Sequence, residues 1–68
     1  MEFYEIIRAL RLGKKESQGQ VAQAIGLTTR QYKRYEAGEQ TPNLDRLCAL
    51  ADHFGVSLDY LAGRTDQR

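Results

Sequence analysis

The stretch Ser17-Gln-Gly-Gln-Val-Ala-Gln-Ala-Ile-Gly26, then Leu27, then Thr28-Thr-Arg-Gln-Tyr-Lys-Arg-Tyr-Glu-Ala-Gly38 decides the fold. Ser17 with Gln20 is a capping box: the hydroxyl accepts from a free backbone N–H and the amide reaches back. Thr28 with Gln31 repeats it. Two short helices therefore start close together. Val21, Ala22 and Ile25 form the apolar stripe of one, and Tyr32 and Tyr35 the apolar positions of the other. Gly26 followed by Leu27 stops the first helix, and Ala37-Gly38 stops the second. Helices joined by so short a turn cross steeply. The crossing needs a small residue at the contact (Ala22), a glycine at the reversal (Gly26) and apolar side chains on the shared face. The other face of the second helix then looks outward and carries Thr29, Arg30, Lys33 and Arg34.

On the N-terminal side, Phe3, Ile6, Ile7 and Leu10 sit at i, i+3, i+4, i+7, which predicts a helix over residues 2–12, ended by Gly13. On the C-terminal side comes a polar loop, Glu39-Gln40-Thr41-Pro42. Asn43 then caps a fourth helix lined by Leu44, Leu47, Leu50, Ala51 and Phe54 and stopped by Gly55. Ser57 caps a short fifth helix with Leu58, Tyr60 and Leu61, ended by Gly63. No period-2 run supports a strand. The reading is a compact all-α domain of five helices over residues 1–63, with a polar, frayed tail at 64–68.

Composition bounds the function. A chain of 68 residues, 41% hydrophobic and 28% charged, is one small globular domain. Cys48 is its single cysteine. No intrachain disulfide and no Cys/His zinc set can form, and Cys48 is expected to be a small core filler. No apolar run approaches the ~18 residues of a membrane span and no signal-peptide pattern opens the chain, so the expected compartment is the cytoplasm. His53 has no companion ligand or nucleophile and reads as a boundary residue. Asp45, Asp52 and Asp59 read as a solvated stripe. No phosphate-cradling loop or nucleophile–base motif is present, so an enzyme has almost nothing under it. The net charge is only +1, but residues 1–15 and 28–38 each carry +2 while residues 39–68 carry −2. A polyanionic partner would meet the first two blocks.

The outward helix face gives that partner a geometry. A projecting helix fits the DNA major groove. The arginine fork matches guanine O6 and N7 together, and Lys33 can do the same less selectively or pair with phosphate. The start of the second helix, near Ser17 and Gln18, offers N–H groups to a backbone phosphate. Taken alone, Arg30, Lys33 and Arg34 would more often be a solvated face. The helix-turn-helix frame around them reverses that weighting. Lys14 and Lys15 read as solvated loop before backbone contacts.

The quoted stretch resembles the phage-repressor and Cro-type (XRE) helix-turn-helix family. Pro42-Asn-Leu-Asp-Arg-Leu47, Leu50-Ala51 and Phe54-Gly-Val-Ser-Leu-Asp-Tyr-Leu-Ala-Gly-Arg64 are similar to its fourth and fifth helices. Glu36-x-Gly38 and the run Val56 to Leu61 make the match specific, and it covers nearly the whole chain. The resemblance implies a lambda-repressor-like five-helix domain that binds double-stranded operator DNA, as a homodimer at least on DNA. No cofactor, metal, small-molecule ligand or membrane is implied, and the bound protein would be nucleoid-associated. It further implies base reading by Thr29, Arg30, Lys33 and Arg34, and backbone contacts from Ser17, Gln18, Thr28, Thr41 and Asn43. Arg11 and Glu36 fall where relatives place a partly buried ion pair. Dimer contacts would come from the fifth helix, with Leu58, Leu61 and Ala62 as candidates.

Three positions depart from the pattern. Gly19 lies inside the second helix, at a cost of ~1 kcal/mol. Tyr32 occupies a commonly aliphatic core position, so its hydroxyl must reach solvent, a carbonyl or a phosphate. Glu39 is acidic where relatives often carry Lys. The expected function is a sequence-specific transcriptional regulator, a repressor by preference. An antitoxin or restriction-system controller of the same fold stays open, as does a protein–protein adaptor that does not bind DNA.

Overall fold

A computed structural model describes residues 2–65, so residues 66–68 of the polar tail lie outside the described residues. Five helices follow in order: α1 (Phe3–Gly13), α2 (Gln18–Ala24), α3 (Thr29–Glu36), α4 (Leu44–Phe54) and α5 (Leu58–Leu61). The described residues contain no strand. Ser17, Thr28, Asn43 and Ser57 are the N-caps of α2 to α5, each accepting from the backbone N–H three residues on. Both predicted capping boxes are present, at Ser17/Gln20 and Thr28/Gln31.

The helix ends share one device. At each, the chain turns through a left-handed residue and two backbone N–H groups return to the last turn of the helix. At α2 these are Gly26 to Gln23 at 3.3 Å and Leu27 to Ala22 at 2.8 Å. At α3 they are Gly38 to Tyr35 at 3.2 Å and Glu39 to Arg34 at 3.0 Å. The sequence reading of α1 needs a correction here. Gly13 is its last helical residue, but the left-handed residue is Lys15, at φ 59°. Lys15 donates to the Leu12 carbonyl at 3.0 Å and Glu16 to that of Arg11 at 3.1 Å. A lysine thus holds a conformation that suits glycine, because the register of these bonds places it there.

The core gathers Ile6, Ile7 and Leu10 from α1, Val21 and Ala22 from α2, and Tyr32 and Tyr35 from α3. Leu27, Leu50, Ala51 and Leu61 complete it. The two tyrosine rings meet edge to face, with centroids 6.4 Å apart. Among the helix pairs, α2 packs most extensively on α3, and α3 in turn packs on α1. Gly19 is explained by that packing: a Cβ there would lie 3.3 Å from Thr29 Oγ1 at the start of α3. Gly38 is tighter still, since its Cβ would sit 3.1 Å from the Tyr4 ring.

Three expectations are overturned. Leu44 and Cys48 were placed on the apolar side of α4, yet both are exposed. They lie one turn apart on the same face, and Leu50, Ala51 and Phe54 face inward without them, with Leu47 half-buried. Leu61 is fully buried and cannot serve as a dimer contact, whereas Leu58 and Ala62 are exposed.

Substitution at the left-handed positions should have graded effects. Gly38→Ala should cost more than the 1–2 kcal/mol of the backbone conformation alone, because the Tyr4 ring blocks the new methyl. Gly55→Ala, at φ 67° with open space around it, should cost only about that backbone amount. Lys15→Gly should stabilise the domain by about 1 kcal/mol. Urea unfolding of the three variants beside wild type checks the ordering.

Candidate nucleic-acid interface

The outward face of α3 is built from the inside out. Tyr32 and Tyr35 anchor the helix in the core, so the positions between them turn away from it. Thr29, Arg30, Lys33 and Arg34 are all exposed. None of the three cations takes part in an ion pair among the described residues. They are long, free, positively charged side chains on a helix whose other side is immobile.

One buried charge pair sets the orientation of that helix. Arg11 Nε donates to Glu36 Oε2 at 2.6 Å and Nη2 donates to Oε1 at 3.0 Å, a bidentate arrangement. Arg11 Nη1 donates to the Glu16 carbonyl at 3.0 Å. Gln18 Nε2 donates to Glu36 Oε1 at 3.2 Å. The side chains of Arg11 and Glu36 are only 12% and 4% exposed. α1, the α1–α2 loop, the first residue of α2 and the last residue of α3 are therefore joined at one carboxylate. Burial pushes the Glu36 carboxyl up, but Arg11, Tyr32 and Gln18 beside it outweigh burial and hold it below its ordinary value. The guanidinium of Arg11 is raised, chiefly by its hydrogen bonds to Glu36.

Tyr32 corrects another expectation. Its hydroxyl reaches neither solvent nor a carbonyl. It is buried and makes no hydrogen bond of ordinary geometry, yet it lies close enough to Glu36 and Arg11 to interact with both, most strongly with the carboxylate. Burial first, then the neighbouring carboxylate, raises its pKa, so the ring stays neutral.

The residues expected at the DNA backbone stand at the starts of α2, α3 and α4 and in the loop before α4. Ser17 and Thr28 are exposed, and each spends its hydroxyl oxygen on a cap at 3.1 Å while its O–H remains to donate. Asn43 accepts from the Arg46 N–H at 2.9 Å through Oδ1, which leaves its amide NH₂ group outside the cap. Thr41 is exposed in the loop before α4. Gln18 differs from expectation in pointing its amide inward, to Glu36.

Sequence reasoning missed a second tie. His53 Nε2 lies 2.8 Å from Glu16 Oε1, and Lys14 Nζ donates to the His53 carbonyl at 3.0 Å. The end of α4 is thereby fastened to the α1–α2 loop. The partners are far apart in the chain, and no local pattern signals them.

A five-helix domain whose second and third helices meet at a glycine turn, with the third held outward by a buried ion pair, is a helix-turn-helix domain of the phage-repressor type. The helix-turn-helix family pattern matches residues 7–61, and the chain belongs to that family. It is 36% identical over 64 residues to the cryptic phage CTXphi transcriptional repressor RstR of Vibrio cholerae, covering 94% of this chain and 57% of that protein. It is 42% identical over 60 residues to the uncharacterized HTH-type transcriptional regulator YobD of Bacillus subtilis, covering 88% of this chain and 54% of that one. The chain thus spans little more than half the length of these relatives. Its fold is similar to the P22 c2 repressor in complex with a synthetic operator, at a TM-score of 0.90 and 29% identity, covering 96% of this chain and 98% of that one.

Removing one side of the ion pair should be costly. Glu36→Gln leaves a buried guanidinium without its counter-charge and should lose about 3–5 kcal/mol in chemical unfolding. The folded carboxyl holds its proton less tightly than the unfolded chain does, so acid favours unfolding. Its contribution is full above the ordinary value of 4.5 and drains away as pH falls through the lowered folded value. Wild type should lose stability on acidification through that range, and Glu36→Gln should lose less over the same interval.

Proposed function

We propose that this domain binds operator DNA as a transcriptional regulator, with α3 in the major groove. The observation that carries the reading is the α3 face: Arg30, Lys33 and Arg34 stand exposed and unpaired on a helix locked from behind by Arg11–Glu36. The relatives named as transcriptional repressors and regulators, and the likeness to an operator-bound repressor, support the same reading. Arg30 and Arg34 read guanine edges through their forks, and Thr29 adds contacts at the start of the helix. Ser17, Thr28, Thr41 and Asn43 donate to phosphates, which fixes the register without reading sequence. Gln18 reaches the backbone only with the part of its amide that Glu36 leaves free. The chain acts as a homodimer on DNA, its contacts drawn from the exposed Leu58 and Ala62 at α5. Two third helices then lie about 34 Å apart, and the operator is an approximate inverted repeat.

Selection of binding sites from a random duplex pool, followed by titration of the selected site, tests this. The expected result is an inverted repeat bound with a negative salt slope. Arg34→Ala should lose about 1–3 kcal/mol and relax preference at one position per half-site. A pool that shows no enrichment, with binding that Arg34→Ala leaves unchanged, would overturn the reading.

A further inference from the structure

Beside the buried ion pair the surface opens into a cleft of about 350 Å³ between α1, α2 and α3, lined by Arg8, Arg11, Gln18, Lys33, Glu36 and Ala37. Its charges do not balance. Glu36 is consumed by Arg11, which holds it at 2.6 and 3.0 Å. Arg8 and Lys33 remain, one from α1 and one from α3, both exposed and neither in an ion pair among the described residues. Arg11 spends one N–H from each of its three nitrogens on Glu36 and Glu16, so two of its donors are left over. The cleft is thus a shallow, open recess with two free cations, spare guanidinium donors and a carboxylate that is already neutralised.

We propose that this cleft seats one backbone phosphate of operator DNA, held between Arg8 and Lys33. The proposal rests on the operator-binding reading and assigns a contact within it. Lys33 lies on the edge of the α3 face, so whatever fills the cleft is continuous with what α3 meets. Arg8 belongs to α1, behind the helix that enters the groove. A side chain placed there meets the strand at the groove edge, not a base edge. Lys33 thereby moves from base reader to backbone anchor, which suits a compact point charge better than bidentate reading. Arg8 enters the interface as a residue that the helix-turn-helix stretch alone does not point to.

A phosphate anchor and a base reader differ in a measurable way. Each phosphate neutralised adds about 0.9 to the magnitude of the salt slope, whatever the sequence. Wild type, Arg8→Gln, Lys33→Gln and Arg34→Ala are titrated at several salt concentrations against the selected operator and a scrambled duplex. Arg8→Gln and Lys33→Gln should each lower the slope by up to about 1 per half-site, about 2 for the dimer, and weaken both duplexes by a similar factor, leaving the selected site unchanged. A neutral methylphosphonate walked along the operator should reveal one linkage per half-site that weakens wild type more than it weakens Arg8→Gln or Lys33→Gln. Arg8 and Lys33 are exposed, and circular dichroism melting checks that the variants fold as wild type does. Unchanged slopes for Arg8→Gln, with Arg34→Ala still altering site preference, would overturn the phosphate seat and leave operator binding standing. Lys33→Gln changing preference at one base pair would return Lys33 to the bases and overturn it equally. Absence of any operator for wild type would remove both readings together.

Discussion

The orientation of α3, and with it the outward face that carries Arg30, Lys33 and Arg34, depends on one carboxylate. Glu36 ends α3, and its two oxygens take three hydrogen bonds, two from Arg11 of α1 and one from Gln18 of α2. Apolar packing alone would leave three short helices free to slide, since contacts between aliphatic surfaces have little directionality. A bidentate guanidinium–carboxylate pair tolerates little displacement. Its net gain in stability over an apolar replacement can be small, because both charges were taken out of water. What it supplies here is geometry. α3 is fixed in rotation about its axis, so that Thr29, Arg30, Lys33 and Arg34 face outward together.

Such a device is needed because the helices are short. α2 has seven residues and α3 has eight, well under the length at which a helix is stable in water. Their ends carry a large share of their backbone groups, and an unsatisfied end would be proportionally more damaging. The chain answers with an oxygen-bearing cap at the start of each helix from α2 onward, and returning N–H bonds at its stops. This also explains why a lysine can hold the left-handed position after α1. The returning bonds and the Arg11 contact to the Glu16 carbonyl fix the turn, and one strained residue is tolerated within it.

The same locality explains what could be read in advance. Caps and stops are patterns of three or four neighbouring residues, so the five helices and their order are visible in the sequence. The outward placement of Arg30 and Arg34 followed from the positions of Tyr32 and Tyr35. Periodicity was weaker at telling where a stripe is centred. Leu44 and Cys48 satisfy the spacing of an apolar face, yet α4 packs Leu50, Ala51 and Phe54 on the core and turns those two to solvent. The opposite error befell Leu61, whose burial is set by the packing of α5 on α1 and α4. The Arg11–Glu36 pair was expected from resemblance, not from spacing. Gln18 joining it, and Glu16 meeting His53, depend on which side chains the folded chain brings together, and nothing local encodes that.

The charge distribution takes on meaning only in three dimensions. Along the chain there are two basic blocks separated by an acidic residue, and the net charge is close to zero. Folding brings a cation of the first block, Arg8, to the same cleft as a cation of the second, Lys33. Between them the one acid, Glu36, is buried and paired. The exposed acids Asp45, Asp52 and Asp59 sit on α4 and α5, not on the three helices that line the cleft. A small domain with a net charge of +1 therefore brings cations of both basic blocks to one recess. If the domain meets DNA as proposed, its few free cations limit how many phosphates it can neutralise, so non-specific affinity stays low and discrimination falls to a few arginine–base contacts.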